Sequence, residues 1–404
     1  MILPISDTPN PRGFPAVTYL LIALNVAVYL GITLPLSGRP PDYEDPALRE
    51  YLQVVRQSAP PGVSLRALVS QVSAYDLVVF KHGYQPGQPR VVDLFTSIFL
   101  HGGFMHLFGN MLFLWIYGDN VEHRLGRVRY LLYYLLTGVA ATLAFSLFAR
   151  GSRVPLVGAS GAISGVLGFY FLWFPRNKVR LLVLFFPFFM NVVAISARLV
   201  LGFYLVIDNL LPFVLSRGGA AGGVAHGAHL GGFLAGLLVA WLEDRREYAP
   251  VEATFRDAAQ APARPDTPAA AISRALEAGD MPEAARRYFA VEGEASRRLL
   301  APGQLLALGN WLAGQRHAHA ALAVYRRHLR DYPTGPGLAE AHLGAGRVQL
   351  EQLDQPAAAY QHFLEAIELA TSEAVAREAR VGLDQIAQRQ KYALRRLSKP
   401  GPSR

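Results

Sequence analysis

The feature that most constrains this chain is an uncharged apolar run of membrane length. No charged residue occurs between Arg153 and Arg176, and the run from Val154 to Phe174 is apolar. About 20 apolar residues suffice for a helix to cross a hydrocarbon core of about 30 Å. Small residues recur in the run every three to four positions, as in membrane helices that pack closely. The run therefore predicts a membrane helix, in which Ser160 is either a small contact residue or a nucleophile.

Two other apolar segments carry polar side chains. One reads HGGFMHLFGN and contains His101, His106 and Asn110; the other reads AHGAHLGGFLAG and contains His226 and His229. A histidine inside a membrane is energetically costly and is by default a candidate functional residue. A lone helical histidine is usually structural. Here two segments with histidine accompany the apolar run that contains Ser160, and this combination favours a functional site.

The chain divides into two halves of different composition. Long apolar runs lie almost entirely within residues 1–248, whereas residues 250–404 are rich in Ala, Arg, Glu and Gln with helical periodicity. The predicted fold class is all-α, a polytopic six-helix transmembrane bundle followed by a soluble α-helical repeat domain. The predicted organisation is a cytoplasmic leader (1–15), a membrane domain (16–248) with a long first loop (37–102), a Pro/Ala-rich linker (249–271), a repeat region (272–390) and a disordered basic tail (391–404).

Six membrane helices are predicted from the apolar runs, at residues 16–36, 103–118, 130–148, 154–174, 195–214 and 224–242. Residues 180–191 are aromatic and interrupted by Pro187, which predicts a membrane-embedded turn or the start of a broken helix. The first apolar run is too long for a cleavable signal peptide, and no Ala-x-Ala site follows it. We expect it to remain as a membrane helix.

Basic residues in the short loops predict the orientation. Cytoplasmic loops carry an excess of Lys and Arg, which places both ends of the membrane domain in the cytoplasm. The basic residues on the cytoplasmic face are Arg12, Arg124, Arg127, Arg129, Arg176, Lys178, Arg180, Arg245 and Arg246, and those on the other face are Arg150, Arg153 and Arg217. At about 1.5 Å per helical residue, Ser160, His229 and Asn110 each lie roughly 8–10 Å below the outer ends of their helices. A shared depth indicates a common site.

The second half shows a degenerate repeat. Gly279 and Gly314 end similar Ala-rich segments, Leu353 occupies a comparable place in a third copy, and the spacings are close to a 34-residue period. The repeats resemble two or three tetratricopeptide units, which typically bind a protein or peptide partner. A plain helical bundle is the alternative interpretation.

Composition excludes several classes of function. The chain has no cysteine, so disulfides, thiolate catalysis and Cys-ligated metal are excluded. Its net charge of +9 would suit nucleic acid, but the basic residues cluster at the ends of apolar segments and form no aromatic-interleaved face. No nucleic-acid partner and no cofactor are expected.

The membrane half resembles the rhomboid family of intramembrane serine proteases. The resemblance covers about residues 15–245 and is carried by His101-x4-His106-x3-Asn110, by Gly158-Ala-Ser160-Gly161 and by Ala228-His229-Leu-Gly-Gly232-x3-Gly236, on helices two, four and six. It implies an endopeptidase that cleaves transmembrane helices of membrane proteins near the outer face of a bilayer, in this case a bacterial inner membrane.

The resemblance also implies a role for each matched residue. Ser160 is the nucleophile and His229 its general base, with His226 the competing imidazole one helical turn away. The oxyanion donors are the side chains of His106 and Asn110 with the Ser160 N–H. His101 is expected to be a structural hydrogen-bonding residue. The supporting glycines are Gly158, Gly161, Gly232 and Gly236.

Three positions depart from the pattern of many relatives. Ser164 stands where an aromatic residue often stacks on the catalytic histidine, and Val92-Asp93 replaces Trp-Arg in the first loop. Asp208 stands where Gln is frequent in helix five, and it is predicted to be a buried polar residue.

Other functional classes fit less well. A catalytically inactive rhomboid-like binding or quality-control protein is the main alternative, and the intact Ser160 and His229 argue against it. A transporter is favoured only by polar residues in helices. An aspartyl protease would pair Asp119 with Asp208, whose predicted depths differ, and a zinc protease would need a His-Glu-x-x-His motif that the sequence lacks.

Overall fold

The computed structural model describes residues 2–11, 13–59, 62–185, 189–215, 225–246, 268–291 and 300–397. The chain forms two compact units. The first comprises Met1–Asp7 and Gly13–Ala240, and the second Thr8–Arg12 and Trp241–Arg404. The predicted linker lies mostly outside the described residues. Its last four residues begin a helix, Pro268–Glu277, because Pro suits the first helical position and the following alanines favour helix.

Helices dominate the first unit, and they occupy the positions of the six predicted membrane helices. In chain order the helices are α1 (Ala16–Ser37), α2 (Pro46–Ser58), α3 (Leu65–Val69), α4 (Ala74–His82), α5 (Asp93–Phe99), α6 (Phe104–Leu125), α7 (Arg127–Phe148), α8 (Ser160–Trp173), α9 (Ala197–Leu215) and α10 (His226–Arg246).

Several of these helices are long and apolar enough to cross a bilayer. By length and composition α1, α7 and α9 qualify, and the pair α5–α6, bent by 95°, would be a fourth span. Helix α8 is apolar but shorter. The protein is therefore a mostly helical membrane protein, and the count of six spans stays a prediction.

A three-stranded sheet corrects the all-α prediction. Strands β1 (Ile2–Thr8), β2 (Lys178–Phe185) and β3 (Phe189–Ser196) follow one another in the order β1-β2-β3, with β2 and β3 antiparallel. Residues 180–185 and 189–191 therefore belong to strands and not to a membrane-embedded turn or a broken helix. Exposed Lys178 and Arg180 alternate with buried Val179 and Leu181, the two-residue period of a strand.

The connection between α6 and α7 is shorter than predicted. Helix α6 continues to Leu125 instead of ending near residue 118, and Glu122 in its last turns is buried. The Glu122 carboxylate accepts hydrogen bonds from the backbone N–H groups of Val17 and Thr18, at 3.0 and 2.8 Å. The acidic side chain thus satisfies free amides at the start of α1, where negative charge is favoured.

The first loop folds onto itself. An apolar cluster of Leu48, Leu52, Leu68, Val72 and Leu77 joins α2, α3 and α4. The loop is tied to the residues before α8 by mutual backbone hydrogen bonds between Tyr84 and Leu156, at 3.0 and 2.8 Å. The long first loop thus contains a small packed group of helices.

Close packing of α8 against α10 depends on glycine. A Cβ on Gly232 would lie 2.1 Å from the Gly161 carbonyl oxygen, and one on Gly236 would lie 2.0 Å from the Gly165 oxygen. Neither distance is possible for a real carbon atom, so only glycine allows this backbone approach. The approach lets the short side chains of the two helices meet.

The second unit is a series of helical hairpins. Its described helices are α11 (Pro268–Glu277), α12 (Met281–Ala290), α13 (Pro302–Gly314), α14 (Ala318–Asp331), α15 (Leu338–Glu351), α16 (Pro356–Leu369) and α17 (Glu373–Leu397). Helix α17 continues to Leu397, so residues 391–397 of the predicted tail are helical and not disordered.

An aromatic side chain recurs between successive hairpins. The Tyr325 ring on α14 packs against Gly309 and Gly344. A Cβ on these glycines would lie 2.8 and 2.4 Å from the ring. Phe363 on α16 has the same relation to Gly346 and Gly382. In both cases one glycine belongs to the same hairpin and the other to the next helix along the chain. The tetratricopeptide assignment stays a prediction.

Replacing Gly236 with Ala is expected to separate α8 from α10. Overpacking of this kind typically costs about 1–3 kcal/mol of unfolding free energy. The melting temperature of the detergent-solubilised variant should fall. Gly202→Ala is the matched control, because a Cβ at Gly202 would meet nothing within 4 Å. Equal melting temperatures for the two variants would contradict the packing argument.

Candidate active site

Ser160 is the first residue of α8 and follows a turn that favours glycine. Gly158 has a φ of +121°, a region that side chains disfavour, and its N–H donates to the Ser97 oxygen at 2.8 Å. The first amide that bonds back along α8 is that of Ile163, which donates to Ala159. The Ser160 N–H therefore belongs to the first helical turn, whose amides have no intrahelical acceptor.

Ser160 meets His229 of α10. The distance from Ser160 Oγ to His229 Nε2 is 2.8 Å, a hydrogen-bond distance between side chains 69 positions apart in the chain. His226 lies beside His229, with 6.4 Å between the ring centroids. The structure thus brings together two residues that the sequence predicts as a dyad.

His106 and Asn110 of α6 lie close to Gly158. A Cβ on Gly158 would lie 2.7 Å from His106 Nε2 and 3.7 Å from Asn110 Nδ2. Asn110 Nδ2 is buried and has no hydrogen-bond partner among the described residues. A buried amide donor that is left unpaired is costly, as expected of a group kept for a ligand or a reaction intermediate.

The predicted supporting residues also lie around this site. His101 is buried, and its ring packs edge-on against His106 with centroids 5.1 Å apart. Its backbone N–H donates to the Tyr75 hydroxyl at 3.1 Å, and its carbonyl accepts from that hydroxyl at 2.8 Å. The first loop and the start of α6 are thereby held together. A Cβ on Gly161 would lie 2.7 Å from Ala141 Cβ, so this glycine lets α8 approach α7.

Asn209 of α9 is the site residue that the sequence did not predict. Its Oδ1 lies 2.7 Å from His229 Nδ1, on the side of the imidazole opposite Ser160. Asn209 is 1% exposed, and its Nδ2 donates to the Tyr204 carbonyl at 2.9 Å. Three polar side chains from α8, α10 and α9 therefore form one hydrogen-bonded line.

The prediction for the neighbouring Asp208 is wrong. Asp208 is exposed, whereas Asn209 is buried. The physical reason is a π-helical segment, Tyr204–Leu210, inside α9. Its wider turn brings residues five positions apart onto one face and shifts the sequence by one position relative to a regular helix. The adjacent polar residues Asp208 and Asn209 within an apolar helix were the available sign of a polar site residue. Their sequence alone could not show which of the two faces inward.

An aromatic ring from α9, and not from position 164, lies beside the His229 ring. The Tyr204 and His229 ring centroids are 6.5 Å apart, with a 30° angle between the ring planes. The hydroxyls of Tyr204 and Ser164 are hydrogen-bonded at 2.9 Å. The small side chain of Ser164 thus leaves space for an aromatic ring from another helix.

The remaining departure concerns the first loop. Asp93 is buried and accepts a hydrogen bond from Arg90 at 2.7 Å, and Arg90 also donates to the Lys81 carbonyl at 2.8 Å. Arg90 and Asp93 therefore join α4 to α5.

Within the described residues, no cluster of three or more His, Cys, Asp or Glu side chains could hold a metal ion.

The membrane half of the chain is similar in sequence to known proteins of one family. Residues 88–246 match the family model of the Rhomboid domain. RHOMBOID-like protein 1 of Arabidopsis thaliana is 42% identical over 92 residues, which is 23% of this chain and 21% of that protein. Rhomboid protein 1, mitochondrial, of Saccharomyces cerevisiae is 34% identical over 96 residues, 23% of this chain and 28% of that protein.

A bacterial relative is also similar. Rhomboid protease GluP of Bacillus subtilis is 47% identical over 75 residues, 19% of this chain and 14% of that protein. The chain thus spans less than a third of the length of each of these three relatives. These matches support the assignment of the membrane half to the rhomboid family, which is a family of integral membrane proteins. The matched proteins include a named protease.

Proposed function

We propose that this protein is an intramembrane serine endopeptidase in which Ser160 is the nucleophile and His229 the general base. The observation that carries the proposal is the 2.8 Å distance between Ser160 Oγ and His229 Nε2 at the start of α8. Nucleophile and base must lie within hydrogen-bond reach for the hydroxyl proton to move as the new bond forms.

In the proposed reaction Ser160 Oγ attacks the scissile carbonyl carbon while His229 Nε2 takes the hydroxyl proton. The tetrahedral intermediate carries a negative oxygen, and its collapse breaks the C–N bond as His229 returns the proton to the leaving amine. Water, activated by the same imidazole, then hydrolyses the acyl-enzyme and restores Ser160.

Three donors are available to the negative oxygen. The Ser160 N–H lies in the first turn of α8, and Asn110 contributes its unpaired Nδ2. His106 Nδ1 accepts from the Gly102 N–H at a long 3.4 Å, which leaves the ring proton on Nε2, next to Gly158. Donors fixed before the reaction stabilise the transition state without the cost of reorganisation.

The proposed substrates are single-pass membrane proteins cleaved near the outer face of a bacterial inner membrane. Their transmembrane helix must unwind locally, because a scissile peptide bond inside a helix is shielded by backbone hydrogen bonds. Small residues around the scissile bond are the preference that the family resemblance implies. The short-loop Lys and Arg residues support cytoplasmic N- and C-termini.

Replacing Ser160 or His229 with Ala is expected to lower cleavage of a model transmembrane substrate by more than about 1,000-fold, because the two side chains act as a unit. A serine-directed fluorophosphonate should label the wild-type protein and not Ser160→Ala. His226→Ala is the control and should keep most activity, because Ser160 Oγ bonds to His229. A wild-type protein that folds but neither cleaves nor labels would favour the inactive binding protein instead.

Replacing Asn110 with Ala is expected to lower kcat more than it raises KM, because its donor acts when the negative oxygen forms. Loss of one such donor costs up to about 10²–10³-fold in kcat. Steady-state kinetics on a fluorogenic transmembrane peptide would measure the split. The neighbouring Gly109→Ala adds a Cβ in open space and should leave both constants unchanged. An unchanged kcat in Asn110→Ala would assign this residue a structural role.

We propose that residues 272–390 bind a partner and take no part in peptide-bond cleavage. The recurring contacts of Tyr325 and Phe363 with glycines of successive hairpins support a stacked array, and stacked arrays present extended binding surfaces. The proposed partner is a cytoplasmic protein or the cytoplasmic tail of a substrate.

A chain that ends at Tyr248 is expected to cleave a minimal transmembrane substrate at close to the full-length rate but to lose partner binding in cells. The full-length protein and the truncated one would be compared in the same detergent, with melting temperature as the check on folding. A truncated protein that is well folded yet inactive on the minimal substrate would place the repeats within the catalytic unit.

A further inference from the structure

The α9 segment that faces His229 has an unusual backbone. Residues Tyr204–Leu210 are π-helical, and π-helical turns occur often at functional sites. Tyr204 and Asn209 are five positions apart and both reach the His229 ring, one with its own ring and one with its side-chain amide. A regular helix would rotate these two side chains away from each other.

The orientation of the Asn209 amide follows from its two contacts. One end of the amide lies 2.9 Å from the Tyr204 carbonyl oxygen, which can only accept a hydrogen bond, so that end must be Nδ2. The other end, 2.7 Å from His229 Nδ1, is therefore Oδ1. A flipped amide would place two oxygens against each other.

This orientation fixes the proton on His229. Asn209 Oδ1 is an acceptor, so His229 Nδ1 must carry the hydrogen. A neutral imidazole then has its lone pair on Nε2, which lies 2.8 Å from Ser160 Oγ. That tautomer is the one that can accept the serine proton.

We infer that Asn209 is a positioning residue that holds His229 in the Nδ1–H tautomer with Nε2 directed at Ser160. The inference rests on the proposed protease function and deepens it from a dyad to a line of three side chains, Ser160, His229 and Asn209. Tyr204 supports the same geometry, since its ring lies beside the imidazole and its hydroxyl is hydrogen-bonded to Ser164.

The competing role for Asn209 is purely structural, as a side chain that satisfies a backbone carbonyl in a membrane helix. Asn25 of α1 provides the comparison. It is 0% exposed, and its Nδ2 donates to the Leu21 carbonyl at 2.8 Å, so it makes the same kind of bond in a helix that carries none of the site residues. Asn25→Leu is therefore the matched control for Asn209→Leu.

The first measurement is the histidine tautomer in the wild-type protein. Protein labelled with ¹⁵N-histidine gives separate ring-nitrogen shifts, and the His229 signals are those absent from His229→Gln. We expect a protonated Nδ1 and an unprotonated Nε2. A wild-type His229 with its proton on Nε2 would overturn the inference, whatever the variants do and whether or not the protein is active.

The second measurement compares the two leucine variants. In Asn209→Leu we expect a mixed or reversed His229 tautomer and a roughly 10- to 100-fold slower fluorophosphonate labelling of Ser160, as for loss of one buried hydrogen bond. Asn25→Leu should keep the wild-type tautomer and label within about twofold of the wild-type rate.

Two outcomes separate this inference from the proposed function. If Asn209→Leu keeps the wild-type tautomer and labelling rate while Ser160→Ala is not labelled, the protease function stands and the role of Asn209 fails. If the wild-type protein shows the expected tautomer but is not labelled, the geometry stands and the protease function fails.

Discussion

The close approach of the α8 and α10 backbones is the constraint on which the candidate site depends. Ser160 and His229 have short side chains, and they meet only because Gly232 and Gly236 let α10 lie against the Gly161 and Gly165 carbonyls. In a bilayer, the hydrophobic effect does not drive two apolar helices together, so small residues and tight packing must hold them. The same glycines that stabilise the helix pair therefore set the distance between nucleophile and base.

Helical spacing predicted a shared depth for the polar residues, whereas the resemblance to the rhomboid family selected His229 over His226. Ser160, His229 and Asn110 were expected at one depth, and the structure places Ser160 against His229. The identity of the residue behind His229 could not be predicted. A single π-helical turn decides whether Asp208 or Asn209 faces inward, and no local sequence pattern specifies that turn.

The errors outside the site have a similar origin. Apolar residues at 180–191 fit a membrane segment as well as a strand, and the strand becomes favourable through pairing between β1, β2 and β3. Tertiary pairing of this kind is invisible to local propensity. Glu122 lies between the predicted ends of helices two and three, and the amides at the start of α1 make a buried position favourable for its carboxylate.

Among the three described helices that are long and apolar enough to cross a bilayer, the one that contributes Tyr204 and Asn209 is the least enclosed by protein. Only 11% of the most apolar window of α9 is buried, compared with 28% in α1 and 33% in α7. In a bilayer, lipid would supply most of the surroundings of α9, and the bilayer would then support the line that runs from Asn209 through His229 to Ser160. In the proposed enzyme, membrane thickness and lipid order would act as regulators of the alignment of the base, since any change that tilts α9 moves the acceptor away from the imidazole.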